Sequence, residues 1–225
     1  MNCLIGDSRA GGMKEVLPRL LVEDVWARPG GRIRMMKGLI DDLVILHHGE
    51  SNQRPHFYIW VGICDLTSRW RDEKYDEVIF DKEYAEQKRE AVFDELVQLS
   101  AYTFNQYAIP IFCPILPMDI TRWNNHRLER RKTSHLLHLD QYEDMQKDLE
   151  EEVERFNERI IQLNLSNGMA TPMLHNDFVH RRGKGRATYR YNGLADGCHP
   201  NKSLRLKFRR SLVAAIKRNQ NHHKN

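Results

Sequence analysis

Three stretches of the chain are apolar almost without interruption: residues 2–5, 57–61 and 108–116. Unbroken apolar character over four to nine residues predicts strands buried on both faces, as in a parallel sheet. Residues 23–27 and 169–174 are weaker strand candidates, the first closed by the turn sequence Arg28-Pro29-Gly30-Gly31. Between the runs the apolar spacing becomes helical. Ile33, Met36, Ile40, Leu43 and Val44 mark a helix over 33–46, and Ala85, Val92, Leu96, Leu99 and Thr103 mark one over 82–107. A charged helix is expected over 144–165, stopped at Asn167-Gly168, and a basic amphipathic one over 203–218. A short helix over 13–21 is weakened by Pro18.

Strands alternating with helices imply βαβ units, and right-handed crossovers place helices on both sides of the sheet. The expected fold class is therefore α/β: three layers around a doubly wound parallel sheet of about five strands in flavodoxin-like order. One domain is expected over 1–218, with 123–141 inserted after the fourth strand as a lid or interaction arm. A polar tail over 219–225 is expected to be disordered.

Composition narrows the reading. The chain has 225 residues, 40% apolar and 29% charged, enough to bury one core. No apolar run has the length of a membrane span, and the N-terminus does not read as a secretory leader. The four cysteines are scattered without a C-x-x-C pair, as expected of reduced thiols, so an intracellular protein, cytoplasmic or nuclear, is expected. The formal net charge is only +4, but Glu150, Glu151, Glu152 and Glu154 offset a strongly basic C-terminal region. Arg181, Arg182, Lys184 and Arg186 interleave with Tyr189 and Tyr191, and Arg209 and Arg210 continue the cluster. Such a surface reads as a contact for nucleic acid or another polyanion, as a rim attracting anionic substrates, or as a solvated face. Oligomeric state is not legible.

The chemistry concentrates at the two ends of the chain. The first strand runs into Gly6-Asp7-Ser8-Arg9, so Ser8 stands at the carboxyl end of a strand, where open α/β sheets place ligands. In the expected strand order, Gly30-Gly31 and Gly62-Ile63-Cys64-Asp65 aim at the same crevice. Far along the chain, Asp196-Gly197-Cys198-His199-Pro200 offers the Asp and His that a serine nucleophile needs.

Gly6-Asp7-Ser8 after strand one, a Gly-x-x-Asp turn after strand three, and Asp196-x-x-His199-Pro200 before the last helix resemble the SGNH (GDSL-type) hydrolases in order and separation. The likeness runs nearly the whole chain, the middle of it through element order alone. The resemblance implies a serine esterase or acyl hydrolase acting on a small acyl ester. Ser8 would be the nucleophile, His199 the base and Asp196 its orienting partner, with no cofactor and no metal. The amides of Ser8 and of Gly30 or Gly31 would form the oxyanion hole. Cys64 stands where the family has an oxyanion-hole asparagine, and a thiol is a poor donor, so a slow enzyme is expected. Asn52 and Asn124 are candidate replacements. Arg9, where the family commonly has leucine, would flank the cleft and favour anionic substrates. The rival function is a catalytically weak module of the same fold that binds polyanions through its basic C-terminal surface.

Each residue also has a plainer role. Ser8 could cap a helix, Asp7 reads as a turn or capping residue, and Cys64 is more readily a small buried residue than a nucleophile. His135, His138 and Asp140 could hold a metal on one helical face, but further ligands are not evident. Leu149, Val153, Phe156, Ile160 and Leu163 read as a core-facing helix stripe in preference to a coiled-coil seam.

Overall fold

The computed structural model describes residues 1–47, 54–71, 75–131, 136–180 and 188–222. Its centre is a four-stranded parallel sheet in the order β2-β1-β3-β6, built from β1 (Asn2–Asp7), β2 (Asp24–Arg28), β3 (His56–Trp60) and β6 (Ile109–Phe112). Two short antiparallel strands, β4 (Ser68–Arg71) and β5 (Asp76–Ile79), form a separate hairpin between β3 and β6 in the chain. A second small pair joins β7 (Val179–His180) to β8 (Thr188–Tyr189). Every residue of β1, β3 and β6 is buried, as their uninterrupted apolar sequences require.

Helices cover both faces, giving the expected three layers. They are α1 (Ser8–Gly11), α2 (Met36–Leu46), α3 (Ile63–Leu66), α4 (Lys82–Asn105), α5 (Ile120–Arg131), α6 (Tyr142–Ser166) and α7 (Lys202–His222). The Leu149, Val153, Phe156 and Ile160 stripe of α6 is buried in the common core, so it is not a free seam. Among the described residues, no helix is long and apolar enough to cross a membrane.

Four details differ from the sequence pattern. Of the helix expected over 13–21 only a 3-10 turn, Gly12–Glu15, forms, directly after α1, and the chain bends at Pro18, whose carbonyl accepts from Leu21 and Val22. The β4–β5 hairpin was hidden by its charged residues. The polar end expected from 219 begins inside α7: Asn219 is fully buried and donates to the Tyr58 hydroxyl at 3.2 Å. Finally, residues 169–174 add no fifth strand.

Asparagine side chains stand where that strand would pair. The Asn164 amide accepts from Phe112 N at 2.9 Å and donates to Phe112 O at 2.7 Å. Asn157 does the same for Ile115, at 2.7 and 2.9 Å. An amide side chain carries one acceptor and two donors and so reproduces the pairing of a peptide group. The outer edge of β6 is thereby satisfied from α6 without another strand. Asn219 serves Ala170 in the same way, and Asn124 serves Val78.

Candidate active site

The turn after β1 is built around two constraints. Gly6 pairs with Trp60 in the sheet, and a Cβ there would sit 2.2 Å from the Trp60 carbonyl oxygen. Only glycine lets β1 and β3 approach this closely just before the turn. Asp7 then caps α1, its carboxylate accepting from Arg9 N at 2.9 Å. Because Asp7 takes the capping role, the Ser8 hydroxyl is left for other partners.

Arg9 does not flank the cleft. Its side chain is buried, bonded through Nε and Nη2 to both Asp7 oxygens, with Nη2 to Oδ2 at 2.6 Å. Nη1 donates to the Leu116 carbonyl at 3.0 Å, and the guanidinium lies 5.6 Å from the Trp60 ring centre. Burial alone would lower its pKa, but the Asp7 charge and hydrogen bonds outweigh that and raise it. The buried Asp7 carboxylate demands a cation, so Arg9 turns inward and cannot steer a substrate.

The other half of the site lies on the tight loop before α7. Leu194 bridges Pro200, Ala195 N donates to His199 O at 2.7 Å, and Asn201 N donates to Gly193 O at 2.8 Å. Inside this closed loop the Asp196 carboxylate accepts from the amides of Cys198 and His199 at 3.0 and 2.8 Å. Its other oxygen lies 2.7 Å from His199 Nδ1. Burial would raise the Asp196 pKa, but these three N–H donors outweigh it and hold the carboxyl well below the usual range. His199 Nε2 lies 2.8 Å from Ser8 Oγ, across 191 positions of sequence.

Ser8, His199 and Asp196 thus form one continuous hydrogen-bonded line. Nδ1–H faces a carboxylate, which leaves Nε2 as the acceptor for the serine proton. The Trp123 ring of α5 packs 5.6 Å from the imidazole.

A cleft of about 490 Å³ opens beside this line. Gly30 and Cys64 line it, but Gly31 does not: its amide closes the turn onto Arg28 O at 2.9 Å. Of Gly30 and Gly31, either of which was expected to serve an oxyanion, only Gly30 lines the cleft. Burial pushes the Cys64 thiol up to about 11, so it is protonated at neutral pH and is a poor nucleophile. Burial also pushes the Asp65 carboxyl up to about 7, although it accepts from Ile33 N at 3.1 Å. Asn124, a candidate replacement donor, is fully buried with both amide ends engaged on Val78 and cannot serve the cleft.

The cleft's remaining walls were not foreseen. Arg69 comes from the hairpin, Arg127 and Trp123 from α5, and Arg32 from the turn after Gly31. Arg32 alone had a legible signal, its place beside the glycine pair. Asn52, His135, Arg181, Arg182, Lys184 and Arg186 lie outside the described residues. Arg209 and Arg210 are exposed on α7. His138 lies 3.1 Å from Glu77, with its ring against Trp70. Among the described residues one set of metal-ligating atoms converges, from Cys3, Asp24 and His47. It sits at the amino end of β1, away from Ser8.

Solved structures share this architecture. A proposed acylhydrolase of Bacteroides fragilis superposes with a TM-score of 0.63 at 14% identity, covering 96% of this chain and 86% of that one. A GDSL-like lipase of Bacteroides thetaiotaomicron gives 0.59 at 14% identity, over 96% and 85%. The OSK domain of Drosophila Oskar gives 0.57 at 12% identity, over 95% and 87%. No family model matches the sequence, and no curated protein matches it. The chain has the fold of the SGNH (GDSL-type) hydrolases.

Proposed function

We propose that this protein hydrolyses small carboxylic esters through an acyl-serine intermediate. The observation that carries the reading is the unbroken line Ser8 Oγ, His199, Asp196, with separations of 2.8 and 2.7 Å. His199 Nε2 takes the hydroxyl proton as Ser8 Oγ attacks the ester carbonyl. Asp196 holds the imidazole in the productive tautomer and stabilises the imidazolium. The Ser8 and Gly30 amides receive the oxyanion. His199 then returns the proton to the leaving alkoxide, and a water activated by the same nitrogen releases the acid. The weak Cys64 S–H in place of an amide donor makes the first step slow, by roughly 10²–10³ if one full donor is missing.

A fluorophosphonate probe tests the reading. It is expected to label Ser8, and Ser8→Ala is expected to lower hydrolysis of 4-nitrophenyl acetate by about 10⁴-fold or more while circular dichroism is unchanged. Absence of labelling in a folded chain overturns the proposal.

A second reading is favoured by α7. Lys202, Arg209, Arg210, Lys217 and Arg218 are all exposed there, and no acidic residue follows Asp196. This surface would bind nucleic acid, with salt-sensitive retention lost when Arg209 and Arg210 become glutamine. Retention indifferent to that change rejects it.

A further inference from the structure

Among the described residues, the cleft beside Ser8 is lined by three arginines, Arg32, Arg69 and Arg127, and by no acidic residue. The acid that stands behind them answers two of the three. Arg69 donates through Nε and Nη2 to the two Asp76 oxygens at 2.7 and 2.8 Å, and Arg127 donates through Nη2 to the same carboxylate at 2.7 Å. Arg32 makes no side-chain hydrogen bond or ion pair among the described residues. Asp65, whose charge Arg32 feels, is buried, with its carboxyl pushed up to about 7. Asp7 is spent on Arg9, and Asp196 on His199.

Two further donors on the same wall lack an acceptor. Arg127 Nε and Trp123 Nε1, one turn apart on α5, are buried and without a partner among the described residues. Buried donors are nearly always satisfied in folded proteins, and an orphan calls for an explanation. Each guanidinium offers five N–H groups in a planar fork that suits carboxylate and phosphate oxygens. Val78, Met118 and Ile63 supply apolar surface beside them. The wall is short of negative charge and of acceptors at once.

We propose that the substrate of this cleft is a small ester bearing an anionic group, a carboxylate or a phosphate. Arg32, Arg69 and Arg127 hold that group while the ester carbonyl lies at Ser8. The position of the carbonyl rests on the hydrolase reading; recognition of the anion does not.

Calorimetric titration of the Ser8→Ala chain tests it without turnover. The probes are 4-acetoxybenzoate and its methyl ester, which differ by one charge, and 4-acetoxyphenyl phosphate as the phosphate counterpart. At least one anionic probe is expected to bind about tenfold or more tighter than the methyl ester. The tighter of the two identifies the group. Arg32→Gln is expected to erase most of that preference and Arg32→Lys to keep part of it. Equal binding of all three probes overturns the inference, as does a preference that survives glutamine at both 32 and 69. A chain that resists fluorophosphonate yet prefers the anion loses the hydrolase reading and keeps this one. A chain that labels and turns over but ignores the charge loses this inference alone.

Discussion

The outer edge of β6 and the cleft beside Ser8 both depend on polar side chains in half-dry surroundings, yet they treat them in opposite ways. Along β6 and the segment just after it, each asparagine spends its amide on a backbone pair: Asn164 on Phe112, Asn157 on Ile115. At the cleft, among the described residues, the Arg32 side chain is unpaired and Arg127 Nε and Trp123 Nε1 have no acceptor. A scaffold gains nothing from an open donor, since leaving one buried costs about 1–3 kcal/mol. A binding surface gains its ligand's interaction only if the donor is left open until the ligand arrives. On the proposed reading, the contrast separates the residues that hold this molecule together from those that would meet a ligand.

Substitutions can sharpen or break that division. Asp196→Asn is expected to have the largest effect, lowering kcat by about 10⁴-fold by removing the charge that sets the His199 tautomer. The thermal midpoint should move little, because the amide oxygen can still accept from the loop. A fall of less than tenfold in steady-state assays counts against an acting His199.

Asn164→Ala is the scaffold counterpart. It strands Phe112 N and O and is expected to destabilise the fold by about 2–5 kcal/mol in urea titration. The kcat of the fraction that remains folded should be unchanged. A large loss of kcat at full folding would erase the distinction.

Cys64→Asn restores an amide donor at the cleft and is expected to raise kcat/KM by about 10²-fold. No gain would mean that position 64 does not face the oxyanion.

The smallest effect concerns Asp65. Its carboxyl is raised to about 7 in the fold, from an ordinary value of 3.8. Between these values the folded chain binds more protons than the unfolded one, so this group makes stability fall as pH rises through the window. Asp65→Asn is expected to stabilise the chain at pH 8 by on the order of 1–2 kcal/mol and to change little at pH 4. Thermal melts at both pH values check the sign.

Much of this architecture was legible from the chain. Strands buried on both faces cannot hide, because residues such as Leu4, Ile5, Ile59 and Ile111 follow one another without polar relief. The turn glycines and the loop before the last helix place Ser8 and His199 at the same end of the sheet once strand order is assumed. Other features depend on choices that no local pattern encodes. Asn157 and Asn164 lie beside the apolar stripe of α6 and look like solvated positions, yet they finish the sheet in place of a fifth strand. Arg9 has a side chain long enough to reach either the cleft or the interior, and only the buried Asp7 decides between them. The hairpin that carries Arg69 has alternating charge that masks its strands, so the cationic wall was invisible until α5 packed against it.

Residue 197 has a consequence of its own. It is a glycine at φ +91°, and a Cβ there would lie 2.6 Å from Trp123 N and 2.8 Å from Asp119 O. Asp119 N also donates to its carbonyl at 2.7 Å. The His199 loop and the first turn of α5 therefore meet backbone on backbone. A side chain at 197 has no room unless that helix backs away, so one missing Cβ sets how close Trp123 comes to the imidazole.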